Sequence, residues 1–343
     1  IKADIMEEVA RMYGYENFEA APITTSFDGA INQLDKDLER HIKEYLSIRC
    51  GMQEIFSYPW MEESYVNAIL QSTDGILALS TPPSPSERFI RSSLLPNLCK
   101  AVAKNERYYG DFAIFETAQV FHDTDYTTPY DPREKLPSQR KNVAGAFVSA
   151  GKDVAALFRK AKGVVEMMPR YTHMERYDFR QVEKPVWADE VVWLNIYLGE
   201  ERIGDLALLS KRVSMACGIK NVNVMLFQLD QDALVPLRSR TNTFTHLAEY
   251  PMTDYDVSLL LDGEVKWADV AETIEGVKNP LLHGASFVDE YRGKQVPAGK
   301  KSLTARLTIG STEKTLTSAE IEEVANSVLK KLSKRFGAEL RSR

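Results

Sequence analysis

Hydrophobic residues recur at helical spacing in the first part of the chain, and strand-like stretches follow them. Residues 1–20 are predicted to form one helix, followed by a linker that Pro22 helps to end. From Leu34 a second helix is predicted, which stops near Gly51 and leads into the strand-like segment EIFSYPW. A Pro- and Ser-rich loop, a third helix and the strand FAIFETAQVF come next. The pattern predicts a domain that mixes helices and strands.

In the middle of the chain, the short distance between two strand patterns determines how those strands pair. Residues 122–140 are polar and punctuated by proline, so we expect an insertion loop there, followed by a strand at 143–149 and a helix near 153–168. Two further strand patterns, VVWLNIYLG and RIGDLALLS, are separated only by Glu200 and Glu201. Parallel strands need a crossover of a dozen or more residues, so this connection requires an antiparallel hairpin. A plain Rossmann-type winding is therefore excluded.

Beyond the connector ALVPLRSRTNTFTHL, the segment from Phe244 to Arg343 follows the order strand, helix, strand, strand, helix, strand. This βαββαβ order is ferredoxin-like. The last helix is predicted over 318–336, where Thr317 can cap the first turn and Glu320 can reach back to it. We therefore predict an α+β fold, with an antiparallel core followed by a ferredoxin-like domain.

Composition narrows the class of protein. The 343 residues suffice for about two domains, and the formal net charge of −6 gives no general attraction to nucleic acid or anionic lipid. Three scattered cysteines without a CxxC pair argue against a disulfide framework or zinc site, so we expect a reducing, cytoplasmic location. No apolar run reaches the ~20 residues of a membrane span. Because the first residue is Ile1, we expect a piece of a longer polypeptide.

The common catalytic signatures do not occur. The sequence contains no HExxH, GxSxG or GxGxxG motif, and its five histidines show no metal-ligand spacing. The segment from Gly293 to Ser302, GKQVPAGKKS, has one residue too many between its glycines for a phosphate-binding loop, and a lysine where that loop needs Ser or Thr. We interpret it as a β-hairpin turn with basic residues. These absences favour a binding function over chemistry.

Three carboxylates, Asp4, Glu7 and Glu8, lie at positions i, i+3 and i+4 near a helix start. Their spacing alone favours a capping box in which Asp4 caps the helix and Glu7 completes the box. A Mg²⁺ site is the alternative interpretation, but a hard cation needs more oxygen ligands than these residues supply.

The last domain carries its charges unevenly along the sequence. Phe244–Tyr291 contains two basic and ten acidic residues, whereas Arg292–Arg343 contains twelve basic and five acidic residues. We interpret the domain as a charge dipole whose positive part could meet an RNA backbone, with an ordinary solvated surface as the alternative. An RNA-recognition motif is disfavoured because SLTARLTIG lacks stacking aromatics. The candidate contacts are Arg292, Lys294, Lys300, Lys301, Arg306, Lys330, Lys331, Lys334, Arg335 and Arg341.

Three segments in this order resemble the C-terminal half of the β subunit of phenylalanyl-tRNA synthetase. They are DIMEEVARMYGYENF, then FIRSSLLPNLCKAVAKNER with FAIFETAQVF, then FVDEYRGKQVPAGKKSLTARL, and the resemblance covers nearly the whole chain. It implies the end of a small helical domain over 1–20, a non-catalytic class II synthetase-like core over 21–235 and a ferredoxin-fold anticodon-binding domain over 244–343.

The resemblance also implies partners and cofactors. Asp4, Glu7 and Glu8 fall on positions that supply carboxylates to a Mg²⁺ site shared with the α subunit, and this implication replaces the capping-box interpretation. A further ligand of that site would lie upstream of this chain. The implied assembly is an α2β2 tetramer that binds tRNA-Phe, with no DNA or membrane partner. The complex would use ATP, which this chain is not expected to bind.

Class II catalysis requires one arginine on the ATP phosphates and a second from a later glycine-rich motif. Arg91 and Glu116 lie where the first would be, but no GxGxxR occurs, so we expect a framework ion pair in a degenerate core. The leading hypothesis is a non-catalytic subunit of the enzyme that joins phenylalanine to tRNA-Phe. The alternatives are an autonomous ATP-dependent ligase and a purely structural module. In one departure, Tyr255 stands before Asp256 where the family usually has a basic residue.

Overall fold

The computed structural model of the chain divides into two compact units, Ile1–Asn242 and Thr243–Arg343. In the described part, no helix is long and apolar enough to cross a membrane. The structure describes residues 1–22, 24, 29, 33–127, 136–237, 249–293 and 295–341.

The first unit is built around a seven-stranded sheet with the strand order β1-β4-β5-β9-β8-β7-β6. Its neighbouring strands are antiparallel except β1 and β4, which are parallel, and the predicted β7–β8 hairpin is confirmed. A separate two-stranded sheet joins β2 and β3. The elements are α1 (Lys2–Tyr13), α2 (Leu34–Glu44), β1 (Gln53–Glu54), β2 (Trp60–Met61), α3 (Glu63–Ile69), β3 (Phe89–Ile90), α4 (Leu95–Asn105), β4 (Asp111–Thr127), β5 (Leu136–Ser149), α5 (Val154–Thr172), β6 (Asp178–Arg180), β7 (Ala188–Leu198), β8 (Glu201–Leu209), α6 (Lys211–Ala216), β9 (Asn223–Asp230) and α7 (Gln231–Leu234).

The central strands of this sheet are buried on both faces. In β5, Val143 and Phe147 belong to the core formed with α2 and α5, whereas Ala144, Ala146 and Val148 belong to the core formed with α3, α4 and α6. A strand covered on both faces needs a continuous apolar run rather than alternation, which is the pattern of its segment VAGAFV. Helices therefore cover both faces of the sheet at its centre.

The predicted insertion loop at 122–140 is wrong for all of its described residues. Residues 122–127 continue β4, and 136–140 begin β5, so the two strands extend as a long antiparallel ribbon in which His122 lies opposite Ser138. The residues between them lie outside the described part. A ribbon that projects from the core buries little on either face, so polar residues suit it and the hydrophobic signal of a strand is lost.

Two other elements are shorter than predicted. The first helix ends at Tyr13 rather than continuing through residue 20, because Gly14 takes a φ of 92° that helical geometry excludes. The segment EIFSYPW contains only the ends of two short strands, β1 and β2. The predicted second helix forms as α2 and continues through one π-helical turn, Tyr45–Arg49, before Gly51.

The second unit has the predicted βαββαβ order. Its four strands form one antiparallel sheet in the order β11-β12-β10-β13. Helix α9 spans the predicted residues, with Thr317 and Glu320 in a reciprocal capping box and Gly337 in the left-handed conformation at its end. The elements are β10 (Thr253–Asp262), α8 (Trp267–Glu275), β11 (Leu282–Tyr291), β12 (Lys300–Ile309), α9 (Ser318–Phe336) and β13 (Glu339–Leu340).

Close packing in the first sheet gives a stability prediction. A Cβ atom at Gly204 would lie 2.1 Å from the carbonyl oxygen of Gln228, so Gly204→Ala should lower the unfolding free energy by about 1–3 kcal/mol. Gly163→Ala in α5 is the matched control, because its Cβ would meet nothing within 4 Å and alanine favours a helix by about 0.5–1 kcal/mol. Urea unfolding of both variants checks this, and equal midpoints for the two would contradict it.

Candidate nucleic-acid interface

Each strand of the second sheet sends alternate side chains to opposite faces. Val257 and Leu259 of β10 and Leu303 of β12 belong to the core under α8 and α9. The residues between them lie on the other surface, which we call the polar face. Its members are Asp254, Asp256, Ser258, Leu260, Asp262, Ser286, Asp289, Tyr291, Lys300, Ser302, Thr304, Arg306, Thr308, Glu339 and Arg341.

Hydrogen bonds between β10 and β12 order the centre of the polar face. Arg306 donates from Nε to Oδ1 of Asp256 at 2.7 Å and from Nη2 to Oδ2 at 2.9 Å. The hydroxyl groups of Ser258 and Thr304 lie 2.9 Å apart. Hydrogen bonding to Arg306 lowers the pKa of Asp256, and the same contact raises the pKa of Arg306. Both groups are therefore charged at neutral pH.

A second arginine lies at the β13 end of the polar face. Arg341 donates from Nη1 to Oγ of Ser302 at 3.2 Å and from Nη2 to Oε1 of Gln295 at 3.0 Å. Its Cζ atom lies 5.5 Å from the centre of the Tyr291 ring, and Tyr291 is 40% exposed. Among the described residues, no carboxylate forms an ion pair with Arg341. A groove of about 730 Å³ adjoins it, lined by Ser258, Leu260, Gln295, Pro297, Glu339, Leu340 and Arg341.

Lys301 and Arg292 share a carboxylate at the base of the β11–β12 turn. Lys301 is 4% exposed on the helix side of the sheet, and its Nζ donates to Oε2 of Glu290 at 2.8 Å. Arg292 donates from Nε to Oε1 of the same residue at 2.9 Å. Burial opposes the charge of Glu290, but hydrogen bonds from Lys301 and Arg292 lower its pKa. The structure thus places Lys301 in the framework of the turn.

The basic residues of α9 lie in the helix layer, not on the polar face. Lys331 donates to the carbonyl oxygen of Gly276, and Arg335 donates to Oγ1 of Thr273 at 2.9 Å, so both tie α9 to α8 and the loop after it. Lys330 and Lys334 are exposed. The predicted Lys294 lies outside the described residues. The structure therefore brings Lys300, Arg306 and Arg341 onto one surface and separates them from the lysines of α9.

The charge dipole predicted along the sequence is not a dipole in space. Strand β10, from the acidic half, lies next to β12, from the basic half, over their whole length. Ion pairs join the halves, including Arg306 with Asp256 and Arg335 with Glu272. Strand pairing thus neutralises part of the positive charge that the sequence concentrates after Tyr291.

Sequence reasoning missed Tyr291, Gln295 and Ser302. The segment SLTARLTIG, which forms most of β12, has no aromatic residue, whereas Tyr291 belongs to the neighbouring β11 and lies opposite Ser302. The structure shows why Gly293 follows Tyr291 closely, since a Cβ at Gly293 would lie 2.2 Å from the Tyr291 hydroxyl oxygen. Tyr255 has a different environment, since it packs against the core on the helix side. The departure from the family pattern at Tyr255 therefore lies away from the polar face.

Arg91 and Glu116 form a buried ion pair in the first unit. Their side chains are 9% and 3% exposed, and Nη1 of Arg91 lies 3.1 Å from Oε1 of Glu116. The arginine also donates from Nε to the carbonyl oxygen of Gln119 at 2.6 Å, and Ser57 donates from its backbone nitrogen to Glu116 at 2.9 Å. Burial lowers the pKa of Arg91, although Glu116 opposes that shift. This geometry agrees with the framework interpretation of the pair.

The three carboxylates of α1 do not converge. Glu8 lies beside Arg11, one turn further along the helix. The helix begins at Lys2 without a side-chain cap, so the capping box considered for Asp4 and Glu7 does not form; the helix starts before the residue that was to cap it. Within the described part of the chain, no three His, Cys, Asp or Glu side chains are arranged to hold a metal ion.

Two family models match the chain. One, described as a ferredoxin-fold anticodon binding domain, matches residues 248–341, which contain the polar face. The other, described as a phenylalanyl tRNA synthetase beta chain CLM domain, matches residues 21–231. Fold and matches together define a tRNA synthetase chain with an anticodon-binding domain. More specifically, the chain belongs to the phenylalanyl-tRNA synthetase β-chain family, which confirms the resemblance found in the sequence and the α+β fold.

Individual relatives agree with this family. The phenylalanine–tRNA ligase β subunit of Carboxydothermus hydrogenoformans is 30% identical, covering 100% of this chain and 43% of its own length. That of Clostridium tetani is 25% identical, covering 99% and 42%. A solved pyrrolysyl-tRNA synthetase from Desulfitobacterium hafniense aligns at 11% identity with a TM-score of 0.48, covering 60% of this chain and 69% of that one. The chain spans about two fifths of the curated relatives it matches.

The buried pair in the first unit generates a prediction. Glu116→Gln should destabilise the fold by about 3–5 kcal/mol, because it leaves the Arg91 charge buried without a counter-charge. Arg88→Gln is the control: Arg88 pairs with Glu63 at the surface, 3.3 Å apart, and its loss should cost at most about 1 kcal/mol. Thermal unfolding of the two variants tests this, and a Glu116→Gln chain as stable as Arg88→Gln would refute the framework role.

Proposed function

We propose that this chain is a portion of the β subunit of a phenylalanine–tRNA ligase, the enzyme that joins phenylalanine to tRNA-Phe with ATP. Its role is to assemble with the catalytic α subunit in an α2β2 enzyme and to hold the tRNA. The observation that carries the proposal is the match of an anticodon-binding domain to the unit whose sheet presents Arg341 above the Tyr291 ring. A cytoplasmic location, inferred from cysteines that are all free, belongs to the same proposal.

The tRNA-binding part of the proposal rests on the chemistry of the polar face. Single-stranded RNA is held by aromatic rings and guanidinium planes on which bases stack, and by donors to phosphate and ribose oxygens. Tyr291 and Arg341 supply the first kind of group, while Lys300 supplies a cation for the second. Among the described residues, Arg341 has no carboxylate partner, so it retains its full charge for a phosphate. We infer that the anticodon region of tRNA-Phe contacts this face.

We propose that the aminoacylation reaction takes place on the α subunit and not on this chain. Arg91, the candidate for the ATP phosphates, has its guanidinium bound by Glu116 and by the carbonyl oxygen of Gln119. Helices cover both faces at the centre of the surrounding sheet, so the described residues offer no open sheet face there. We infer that ATP is used by the complex, on the α subunit. An autonomous ligase is therefore disfavoured.

Exposed aromatics suggest where the α subunit docks. After β1, the side chains of Phe56 and Tyr58 are 82% and 70% exposed, and Tyr58 stacks on Trp60 with ring centres 4.5 Å apart. They line a groove of about 630 Å³ whose opposite wall is α4, with Lys100 and Lys104. Large exposed apolar groups that cluster in this way mark protein interfaces. We propose that the α subunit covers this groove.

The first twenty residues include the three carboxylates for which the family resemblance implies a Mg²⁺ site. We propose that residues 1–20 are the end of a helical domain and that Asp4, Glu7 and Glu8 contribute to a Mg²⁺ site shared with the α subunit. On their own the three side chains do not form a cation site, since Glu8 pairs with Arg11 and no described group of three metal-ligating side chains includes them. A complete site would need oxygen ligands from the partner.

The tRNA interface can be tested with a matched pair of variants. Arg341→Gln should weaken binding of transcribed tRNA-Phe to the full chain by about tenfold, because it removes a stacked cation of the polar face. Lys330→Gln removes the same charge from the helix layer and should change the affinity by less than about twofold. Fluorescence anisotropy at low salt measures both. A larger loss for Lys330→Gln would place the RNA on the helices instead.

Assembly gives a separate prediction. The double variant Phe56→Ser, Tyr58→Ser should weaken association with the α subunit by at least about tenfold, since buried aromatic anchors dominate interface energies. Val191→Ser is the control, because Val191 is 75% exposed but lies on β7, away from this groove. Co-purification and titration by analytical ultracentrifugation report the affinity. Undiminished assembly of the double variant would exclude the groove as the docking surface.

A further inference from the structure

The guanidinium of Arg306 is occupied along one edge only. Asp256 accepts hydrogen bonds from Nε and from Nη2, at 2.7 and 2.9 Å, so the carboxylate binds the fork side-on. A guanidinium has five N–H groups in one plane, of which this pair uses two. Both N–H groups of Nη1 and the second N–H of Nη2 remain. One N–H of Nη1 and the second N–H of Nη2 form the end edge of the fork. No described residue is seen to accept from Nη1.

The side-on pair also fixes the position of the fork. Both side chains are 43% exposed, so a ligand can reach them, yet Arg306 is held in one geometry by two parallel hydrogen bonds. The pair joins residues directly opposite each other in the β10–β12 ladder, which is the arrangement in which cross-strand partners reinforce each other. Arg306 therefore presents two N–H donors in a fixed orientation on the polar face.

Charge decides what the free edge can bind. Asp256 neutralises Arg306, and Asp254, which also faces the polar side and accepts from Thr308 at 3.1 Å, adds a further negative charge. A phosphate approaching this edge would meet a local balance of −1, since two carboxylates face one guanidinium. Neutral acceptors do not meet this repulsion. The edge is therefore suited to two adjacent neutral acceptor atoms at the spacing of the guanidinium fork.

Among the bases of RNA, guanine presents such a pair, its O6 and N7 atoms, and an arginine fork binds both at once. In single-stranded RNA this edge of the base is accessible, because the bases are unstacked and turned outward. Ser302, which binds Arg341, lies four residues before Arg306 on β12. At ~3.3 Å per residue the two positions are about 13 Å apart, so the Arg306 site is separate from the Arg341 site.

We propose that Arg306 recognises a guanine base of the bound RNA through O6 and N7, and that Asp256 is the positioning residue that aims it. This inference rests on the proposed function, because it assumes that the polar face contacts tRNA-Phe. It assigns Arg306 to sequence recognition and not to the phosphate backbone, and it gives Asp256 a role in the selection of the base.

The first test uses the full chain and tRNA-Phe transcripts in which each guanine of the anticodon stem and loop is replaced in turn by 7-deazaguanine. This analogue loses the N7 acceptor but keeps the pairing edge. The parent chain should bind one of these transcripts about fivefold more weakly than the unmodified RNA. This is the effect expected when one hydrogen bond of a bidentate pair is lost. The Arg306→Gln chain should bind the modified and the unmodified transcript with equal affinity, and so should the Arg306→Lys chain.

The lysine variant separates the two roles of Arg306. A phosphate contact needs only a positive charge, so Arg306→Lys would then keep the affinity of the parent chain. A parent chain that binds tRNA-Phe but is insensitive to 7-deazaguanine at every position overturns the inference and leaves the proposed function intact. A guanine preference that persists in Arg306→Gln overturns it as well. Failure of the parent chain to bind tRNA-Phe would overturn both.

Asp256→Asn provides a readout that a merely structural residue would not move. With the counter-charge removed, Arg306 becomes free to contact phosphate, so the slope of log affinity against log salt should steepen by about one. Guanine discrimination should fall at the same time, because the fork is no longer held. A lower affinity with an unchanged salt slope and unchanged discrimination would refute the positioning role. Unfolding midpoints confirm that the variants are folded.

Discussion

Ten residues of β10 lie opposite ten residues of β12 in continuous antiparallel register, from Thr253 opposite Ile309 to Asp262 opposite Lys300. This register sorts the side chains of both strands, because a shift by one residue would exchange the two faces. It buries Leu259 and Leu303 under the helices and brings Asp256 beside Arg306 on the other side. The chemistry of the polar face thus follows from the same pairing that forms the core.

Local patterns predicted the order of elements well, since helix spacing and caps are properties of neighbouring residues. Helix α9, with Thr317 and Glu320 at its start, formed over the predicted residues. The candidate site was predicted only in part. Lys301 and Arg306 are both basic residues of β12, yet one is buried against Glu290 and the other is exposed beside Asp256. Which carboxylate each meets depends on long-range register, which composition and local spacing do not contain.

The first unit illustrates how burial restricts function. Its central strands carry apolar residues on both faces, as β5 does with Phe147 on one side and Ala146 on the other. Such a sheet gains stability from two cores, and in the described part of the chain helices cover both of its faces at the centre. Arg91 and Glu116 are held in this setting by each other, so their charges support the framework. The pair therefore belongs to the framework of the first unit.

Arg341 and Arg306 share the polar face but differ in the charge that surrounds them. Arg341 is bound by the neutral groups of Ser302 and Gln295, so its positive charge is available to the sequence-independent phosphate contacts that we propose. Arg306 is neutralised by Asp256, so it adds little general attraction and its free N–H groups count only where a matching acceptor pair is present. A sheet that needs both affinity and selectivity can obtain them from one residue type, because the neighbouring carboxylate determines which of the two an arginine supplies.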